Sequence, residues 1–389
     1  MNTKSILAGL KKNAMLVALV LVYLLFLILT QGKIFSPANF SELINQNTYV
    51  YILGAGMLMC MLTGGNIDLS CGSFVCLLGA FGGLFMIVNK MSVGASIALL
   101  LLIGILYGVV LGFLIAYVNI PPWIATLAGF LAFRGLGTFI LSSNSATGSL
   151  APFPDAFNRI FFGRIFATPV GVFNWVCFIT GLVAALLVVL TTVRSRMVRQ
   201  SKHYEVEPVM NMVGKLVLEC AAIMLLMTKL AMDGGIPTTL VWVAAIILIY
   251  SFITAKTTIG RHFYVVGGNI EAARLSGVNT KRIMFLAYLN MAVLTSIAAM
   301  TVVARSQSAY ADVGKNFEMD AISACVVGGV SASGGAGTVL GMVIGATLIG
   351  VINLGMSLIS LDANYQRVIK GFVLLAAVVF DILSKKKSK

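Results

Sequence analysis

The chain has 389 residues, 59% of them hydrophobic and 10% charged, and a mean hydropathy of +0.99. A soluble domain carries about 25% charged residues, so these values exclude a large soluble domain. The net charge of +14 does not mark a nucleic-acid binder, because the lysines and arginines stand at the ends of apolar runs, as the positive-inside rule requires.

Apolar runs near the ~20-residue spanning length recur from end to end. The expected fold is all-α: one polytopic membrane helical bundle over 1–389, with about 10–12 transmembrane segments, some broken or short. The spans are expected near 14–31, 48–63, 69–88, 93–118, 122–142, 170–193, 213–231, 238–255, 283–304, 321–333, 336–358 and 365–384, the second and tenth being short. The first follows Lys4, Lys11 and Lys12 and so imitates a secretory leader. It is long for one and no A-x-A-like site follows it, so it is read as a retained span.

Orientation follows from the basic loops. The N-terminus, the loop at 194–212 (Arg194, Arg196, Arg199, Lys202), the loop at 256–282 (Lys256, Arg261, Arg274, Lys281, Arg282) and the tail (Lys385, Lys386, Lys387, Lys389) are all expected to be cytoplasmic. Both termini then face the cytoplasm, and 142–168 and 305–320 lie outside. The 142–168 segment carries Phe153, Phe157, Phe161 and Phe162 beside Arg159 and Arg164. Its aromatics fit packing on the membrane surface or on a partner, or an interfacial aromatic belt.

The first polar break is Gly64-Gly-Asn-Ile-Asp-Leu-Ser-Cys-Gly-Ser73. Irregular backbone survives at membrane depth only where protein or a water-filled cavity covers it, and an ionisable group there is a candidate functional residue. Asn66, Asp68, Ser70 and Ser73 either line or support a path, or form a capped turn with Asp68 as N-cap. Counting crossings puts the break toward the cytoplasmic side, which favours a gate role over a midplane ligand. Arg134 lies inside an apolar run and needs an acceptor, for which Asp68 is the candidate. Gly104, Gly108 and Gly112 form a small-residue stripe suited to close helix packing. A second break, Val326 to Gly337, repeats the Gly-Gly and hydroxyl pattern, and internal duplication is common in transporters.

Several chemistries are missing. Gly329 and Gly334 have phosphate-loop spacing, but Gly335 stands where the lysine must be. His203 and His262 fall in basic loops. The six cysteines lie in or beside apolar runs without a C-x-x-C, so no metal site is expected, and they read as reduced core residues. If ATP drives the protein, it is hydrolysed on another chain. In the second cytoplasmic loop, Asn269 can cap a short helix with Glu271 in its first turn and Gly277 as its stop. Such a helix between two spans fits a partner's groove or is a plain surface helix.

Gly267-Gly-Asn-Ile-Glu-Ala-Ala-Arg-Leu-Ser-Gly277 resembles the coupling motif of bacterial ABC-importer permeases for monosaccharides. Asp68-Leu-Ser-Cys-Gly-Ser73, Phe133-Arg-Gly135 and Asp320-Ala-Ile-Ser-Ala-Cys-Val-Val-Gly-Gly329 are similar to further motifs of that family, in the same order. The long outer loop and the basic loop at 194–212 look most like the xylose/galactose or multiple-monosaccharide branch. Cys71 stands where the family often has Val, and the late break is richer in Gly and Ser, so the sugar stays open.

The resemblance implies a non-catalytic permease subunit in the inner membrane, working as a dimer, most simply of two copies. Its other partners would be a cytoplasmic ABC ATPase, which holds ATP and Mg, and an extracytoplasmic sugar-binding protein. This chain itself would carry no cofactor. Asn269, Glu271, Ala272, Ala273, Arg274 and Gly277 would meet the ATPase. Asn66, Asp68, Ser70, Ser73, Arg134, Asn353 and Ser357 would line or support the sugar path or gate. Arg159, Arg164 and Arg305 would meet the binding protein, where rim charges serve steering more than affinity. The alternative is an ion-coupled secondary sugar transporter acting without an ATPase, with Asp68 as its coupling carboxylate.

Overall fold

The computed structural model describes residues 14–169, 171–206 and 208–386. Lys4, Lys11, Lys12, Lys387 and Lys389 lie outside these. In chain order the helices are α1 (Ala14–Leu29), α2 (Pro37–Leu62), α3 (Cys71–Gly83), α4 (Val93–Ala116), α5 (Pro122–Asn144), α6 (Asp155–Phe162), α7 (Trp175–Ser201), α8 (Val209–Met232), α9 (Thr238–Lys256), α10 (Thr258–Gly268), α11 (Ile270–Leu275), α12 (Thr280–Ser306), α13 (Phe317–Val327), α14 (Val339–Leu358) and α15 (Ala363–Lys386). A wider turn, Leu84–Val88, prolongs α3. Among the described residues, eight helical segments are long and apolar enough to cross a membrane. The all-α membrane bundle is therefore as expected.

The centre of the bundle is α2. Every residue from Asn47 to Leu62 is buried, as a helix apolar on all sides requires. It is also longer than the short span expected at 48–63. Ser36 accepts the Asn39 N–H at 3.4 Å and Pro37 opens the first turn, an N-cap and N1 pair. The polar residues of the first turns (Asn39, Ser41, Glu42, Asn45, Gln46) lower the local hydropathy and hide this start.

Three helices enclose α2. Helix α12 runs antiparallel to it, with Glu42 paired to Arg305 at one end and Cys60 Sγ bonded to the Ala287 C=O near the other. Helix α14 is also antiparallel: Asn47 Nδ2 donates to the Ala346 C=O at 2.6 Å, and Met342 Sδ fills the space over Gly54. Helix α13 runs parallel, with Tyr49 bonded to Asp320 and the Gly54 C=O accepting from Cys325 Sγ. At 11 residues it is ~16 Å long, about half a bilayer core. The tenth expected span, 321–333, is corrected on both sides: the helix starts earlier, at Phe317, and stops at Val327.

The glycine stripe of α4 seats on α12. A Cβ at Gly108 would stand 2.8 Å from Leu289 Cα, and one at Gly112 2.9 Å from the Phe285 C=O. Helices α7 and α8 pack against each other at Gly181, where a Cβ would be 2.6 Å from Met227 Cβ. Their outer faces expose Leu182, Leu186, Leu190 and Leu218, the surface expected to meet lipid. Lys229, near the end of α8, holds its ammonium 3.7 Å over the Phe35 ring.

Three aromatics of the 142–168 segment point into the protein, which corrects the membrane or partner contact expected of them; Phe162 is half-buried and Phe166 is exposed. Phe153, Phe157 and Phe161 are buried and stack in series, ending on Trp242 of α9 at 5.4 Å. Phe157 and Phe161, four residues apart, share one face of α6, and Phe153 precedes the helix. Two short antiparallel pairs fasten the segment: β1 (Ser149–Leu150) to β4 (Ala309–Tyr310), and β2 (Arg164–Ile165) to β3 (Ile236–Pro237).

Candidate functional site

Three side-chain caps shape the 257–282 loop. Thr257 caps α10, Asn279 caps α12, and Asn269 Oδ1 accepts the Ala272 N–H at 3.0 Å to start α11. Gly277, at φ +82°, turns the chain after α11, a left-handed position that favours glycine. The two faces of α11 differ. Ala273 is fully buried in the core that surrounds α2. Glu271 and Arg274 pair at 3.0 Å while staying about two-thirds exposed, and Leu275 is 84% exposed.

Directly behind α11 the two glycine-rich breaks meet. Leu62 ends α2, so its C=O is one of the orphan acceptors of a helix C-terminus. The Gly335 N–H of the late break bonds it at 3.1 Å. A Cβ at Gly267, in the last turn of α10, would stand 2.6 Å from Gly335 N and 2.8 Å from the Leu62 carbonyl carbon. One at Gly65 would lie 2.9 Å from the Ala332 carbonyl carbon, and one at Gly335 2.8 Å from Gly268 Cα. Tyr264 Oη adds a bond to the Gly337 C=O at 3.0 Å. Backbones from α10 and from both breaks therefore touch at one point, and only side-chain-free residues allow it.

Asn66, Asp68 Oδ1 and Ser70 bond within the break, whereas the buried Asp68 Oδ2 and Ser73 Oγ have no hydrogen-bond partner among the described residues. Asn66 Nδ2 donates to the Thr63 C=O at 3.2 Å. Asp68 is buried, and its Oδ1 accepts from the Ser70 N–H at 2.8 Å and the Ser70 hydroxyl at 2.6 Å. Ser70 Oγ also bonds Tyr107 Oη at 2.6 Å. Ser73 is buried one turn into α3. Asp68 thus shapes the turn that starts α3, with Ser70 rather than Asp68 at the N-cap position.

The expected pairing of Arg134 with Asp68 does not occur. Arg134 Nη1 donates to the Ala311 and Val313 carbonyls at 2.8 and 2.7 Å. Helices α3 and α5 run parallel, with Gly129 beside Ser70 and Gly137 beside Cys76. Arg134 is therefore ~9 Å further along the bundle than Asp68 and reaches the 309–316 segment instead.

At the end of the bundle away from α11, Asn353 lines a cavity of about 240 Å³. Ser357, one turn on, is exposed and donates its hydroxyl to the Asn353 C=O at 2.9 Å. A buried cluster beside this cavity escaped the sequence reading. Tyr49 Oη donates to Asp320 Oδ2 at 2.6 Å, and Lys370 Nζ lies 3.0 Å from Asp320 Oδ1. The available signal was Lys370, a charge in an apolar run that needs a partner. Of the arginines assigned to docking, Arg159 is exposed on α6, Arg164 pairs with Asp233 at 2.6 Å and Arg305 pairs with Glu42.

This arrangement, a long buried helix, a half-helix and two breaks joined behind a capped surface helix, has close sequence counterparts. The family described as branched-chain amino acid transport system / permease component matches residues 39–378. The chain belongs to this permease family. The xylose transport system permease protein of Haemophilus influenzae is 33% identical over 374 residues, covering 96% of both chains. The ribose import permease protein of Escherichia coli strain K12 is 27% identical, over 96% of this chain and 94% of its own. The galactose/methyl galactoside import permease protein of H. influenzae is 28% identical, over 98% and 96%. No solved structure matches the chain. The permease identity accounts for the multi-pass helices and for the absence of a phosphate loop in the sequence.

Proposed function

We propose that the chain is the membrane-spanning subunit of an ATP-driven monosaccharide importer, with xylose, ribose or galactose as the type of cargo. ATP and Mg sit on a cytoplasmic ABC ATPase that docks on α11. An extracytoplasmic sugar-binding protein delivers the sugar at the opposite end, near Arg159. Two copies of the chain form the membrane pore unit, in the inner membrane with both termini cytoplasmic.

The observation that carries this reading is the mounting of α11. Its exposed face offers an ion pair and Leu275 to a partner, while Ala273 anchors it in the core next to the point where both breaks meet. A push on α11 therefore reaches α2, α3, α13 and α14 through backbone contact.

The test is reconstitution in liposomes with the ATPase and the binding protein, measuring ATP-dependent uptake of D-xylose, D-ribose and D-galactose. Glu271→Ala and Arg274→Ala remove an exposed ion pair worth about 0–1 kcal/mol, so the variants insert and fold. Losing an interface anchor costs about 2 kcal/mol, or thirty-fold in ATPase affinity, and binding-protein-stimulated hydrolysis falls accordingly. Gradient-driven uptake by the chain alone, without the ATPase, overturns the reading in favour of a secondary transporter.

A further inference from the structure

We infer that the cavity at the far end of α2 is a binding site for one neutral monosaccharide. This rests on the importer reading and adds a location and a ligand chemistry to it. The cavity lies between the first turns of α2, the end of α12, the start of α13, and α14 and α15. Its volume of about 240 Å³ is just below the ~300–1,000 Å³ of sites for drug-sized ligands. One sugar ring fits.

The lining selects for hydroxyl groups. Asn45, Gln46, Asn353 and Gln366 lie in the wall; Asn45 Oδ1 already accepts from Thr239 and Gln366 Nε2 donates to the Leu361 C=O, which leaves the other half of each amide. An amide offers both donors and acceptors, as a sugar hydroxyl does. Tyr49 and Phe317, stacked at 3.6 Å between ring centroids, add an apolar patch. A pocket with a few placed polar groups beside aromatic surface is the usual design for a small ligand.

The charges select for neutrality. Each charged residue on the wall already has a partner: Arg305 has Glu42, Lys370 has Asp320, and Asp312 has Lys315. An anion or a cation would meet charges that are already engaged, whereas a polyol needs none of them.

A separate observation concerns the cavity wall. Asn353 is 7% exposed, and its Oδ1 has no hydrogen-bond partner. A buried acceptor left unpaired is costly; this oxygen is sealed as the side chain stands, so a ligand hydroxyl reaches it once Asn353 turns toward the cavity.

The experiment uses the full-length permease in lipid nanodiscs, without ATPase or binding protein. Saturation-transfer NMR titrates D-xylose, D-ribose and D-galactose at millimolar concentration, with phosphate and choline as charged probes. At least one sugar binds and the charged probes do not. Asn353→Leu weakens that sugar ~threefold or more, the effect of losing one hydrogen bond. Gln46→Leu, on a half-buried wall position, does the same and covers the case in which Asn353→Leu folds poorly. Absence of binding by all three sugars, tighter binding of phosphate or choline, or sugar binding unchanged in both folded variants overturns the site. Uptake by the complete complex is scored separately. A complex that imports sugar through a permease without this site keeps the importer reading, and a complex that imports none loses it whatever the NMR reads.

Discussion

Gly267→Ala should damage the protein where Gly268→Ala does not, although the two glycines are neighbours in the last turn of α10. At Gly267 the new methyl would stand 2.6 Å from Gly335 N and 2.8 Å from the Leu62 carbonyl carbon, well inside contact distance. The neighbours are backbone, so no side chain can rotate away. Overpacking of this kind costs about 1–3 kcal/mol. Moving Gly335 away from Leu62 also sacrifices their hydrogen bond, about 0.5–1.5 kcal/mol. The sum is about 1.5–4.5 kcal/mol. At ~2.1 cal/mol/K of unfolding entropy per residue, 389 residues give about 0.8 kcal/mol/K, so Tm should fall by ~2–6 °C. At Gly268 a Cβ meets nothing within 4 Å, and alanine favours a helix over glycine by about 1 kcal/mol. Thermal unfolding in detergent reads both variants, and ATP-driven uptake reads their function. Equal melting and equal uptake for Gly267→Ala and Gly268→Ala would refute the claim that three backbones share one contact point.

Other expectations concern separate parts of the fold. Arg134→Leu removes two charge-assisted bonds to Ala311 and Val313, each worth about 1.5–3 kcal/mol. Its Tm should drop by several degrees, with Arg134→Lys recovering part of the loss. Phe157→Ala empties a fully buried site in the aromatic series, at about 3–5 kcal/mol, and should expose the 149–165 segment to limited proteolysis. Asp68→Ala deletes the acceptor for Ser70, a cap-like loss of ~1 kcal/mol. Asp68→Asn keeps an acceptor there, so its uptake should match the parent, and a strong defect with normal folding would return Asp68 to the sugar path.

How much could be read from the letters depended on how local the physics is. Asn269 and Gly277 mark α11 because a cap and a left-handed stop act within one turn. The stripe at Gly104, Gly108 and Gly112 marks a close helix contact because only side-chain-free positions allow it, although its partner α12 was not legible. Arg134 announced that it needed an acceptor, but its acceptors are main-chain carbonyls 177 and 179 positions away, and a carbonyl leaves no trace in a residue type. The start of α2 had a readable Ser36-Pro37 signal that averaged hydropathy obscured. Asn353 was expected on the sugar path, but the cavity wall as a whole was out of reach. Asn45, Asn353 and Gln366 sit on three different helices, and only the antiparallel and parallel packing around α2 brings them together.

Helix α2 has one further consequence. It is unbroken over 26 residues, with Tyr49 in the cavity wall and Leu62 at the meeting of the two breaks. These positions are ~20 Å and thirteen steps of about 100° apart. The two ends of the permease are thus locked in phase, like two cams on one shaft. Loops elsewhere can change length freely, but one residue added between 49 and 62 would turn one end by about 100° against the other. The spacing along this stretch, more than any single side chain in it, is what joins the two ends into one device.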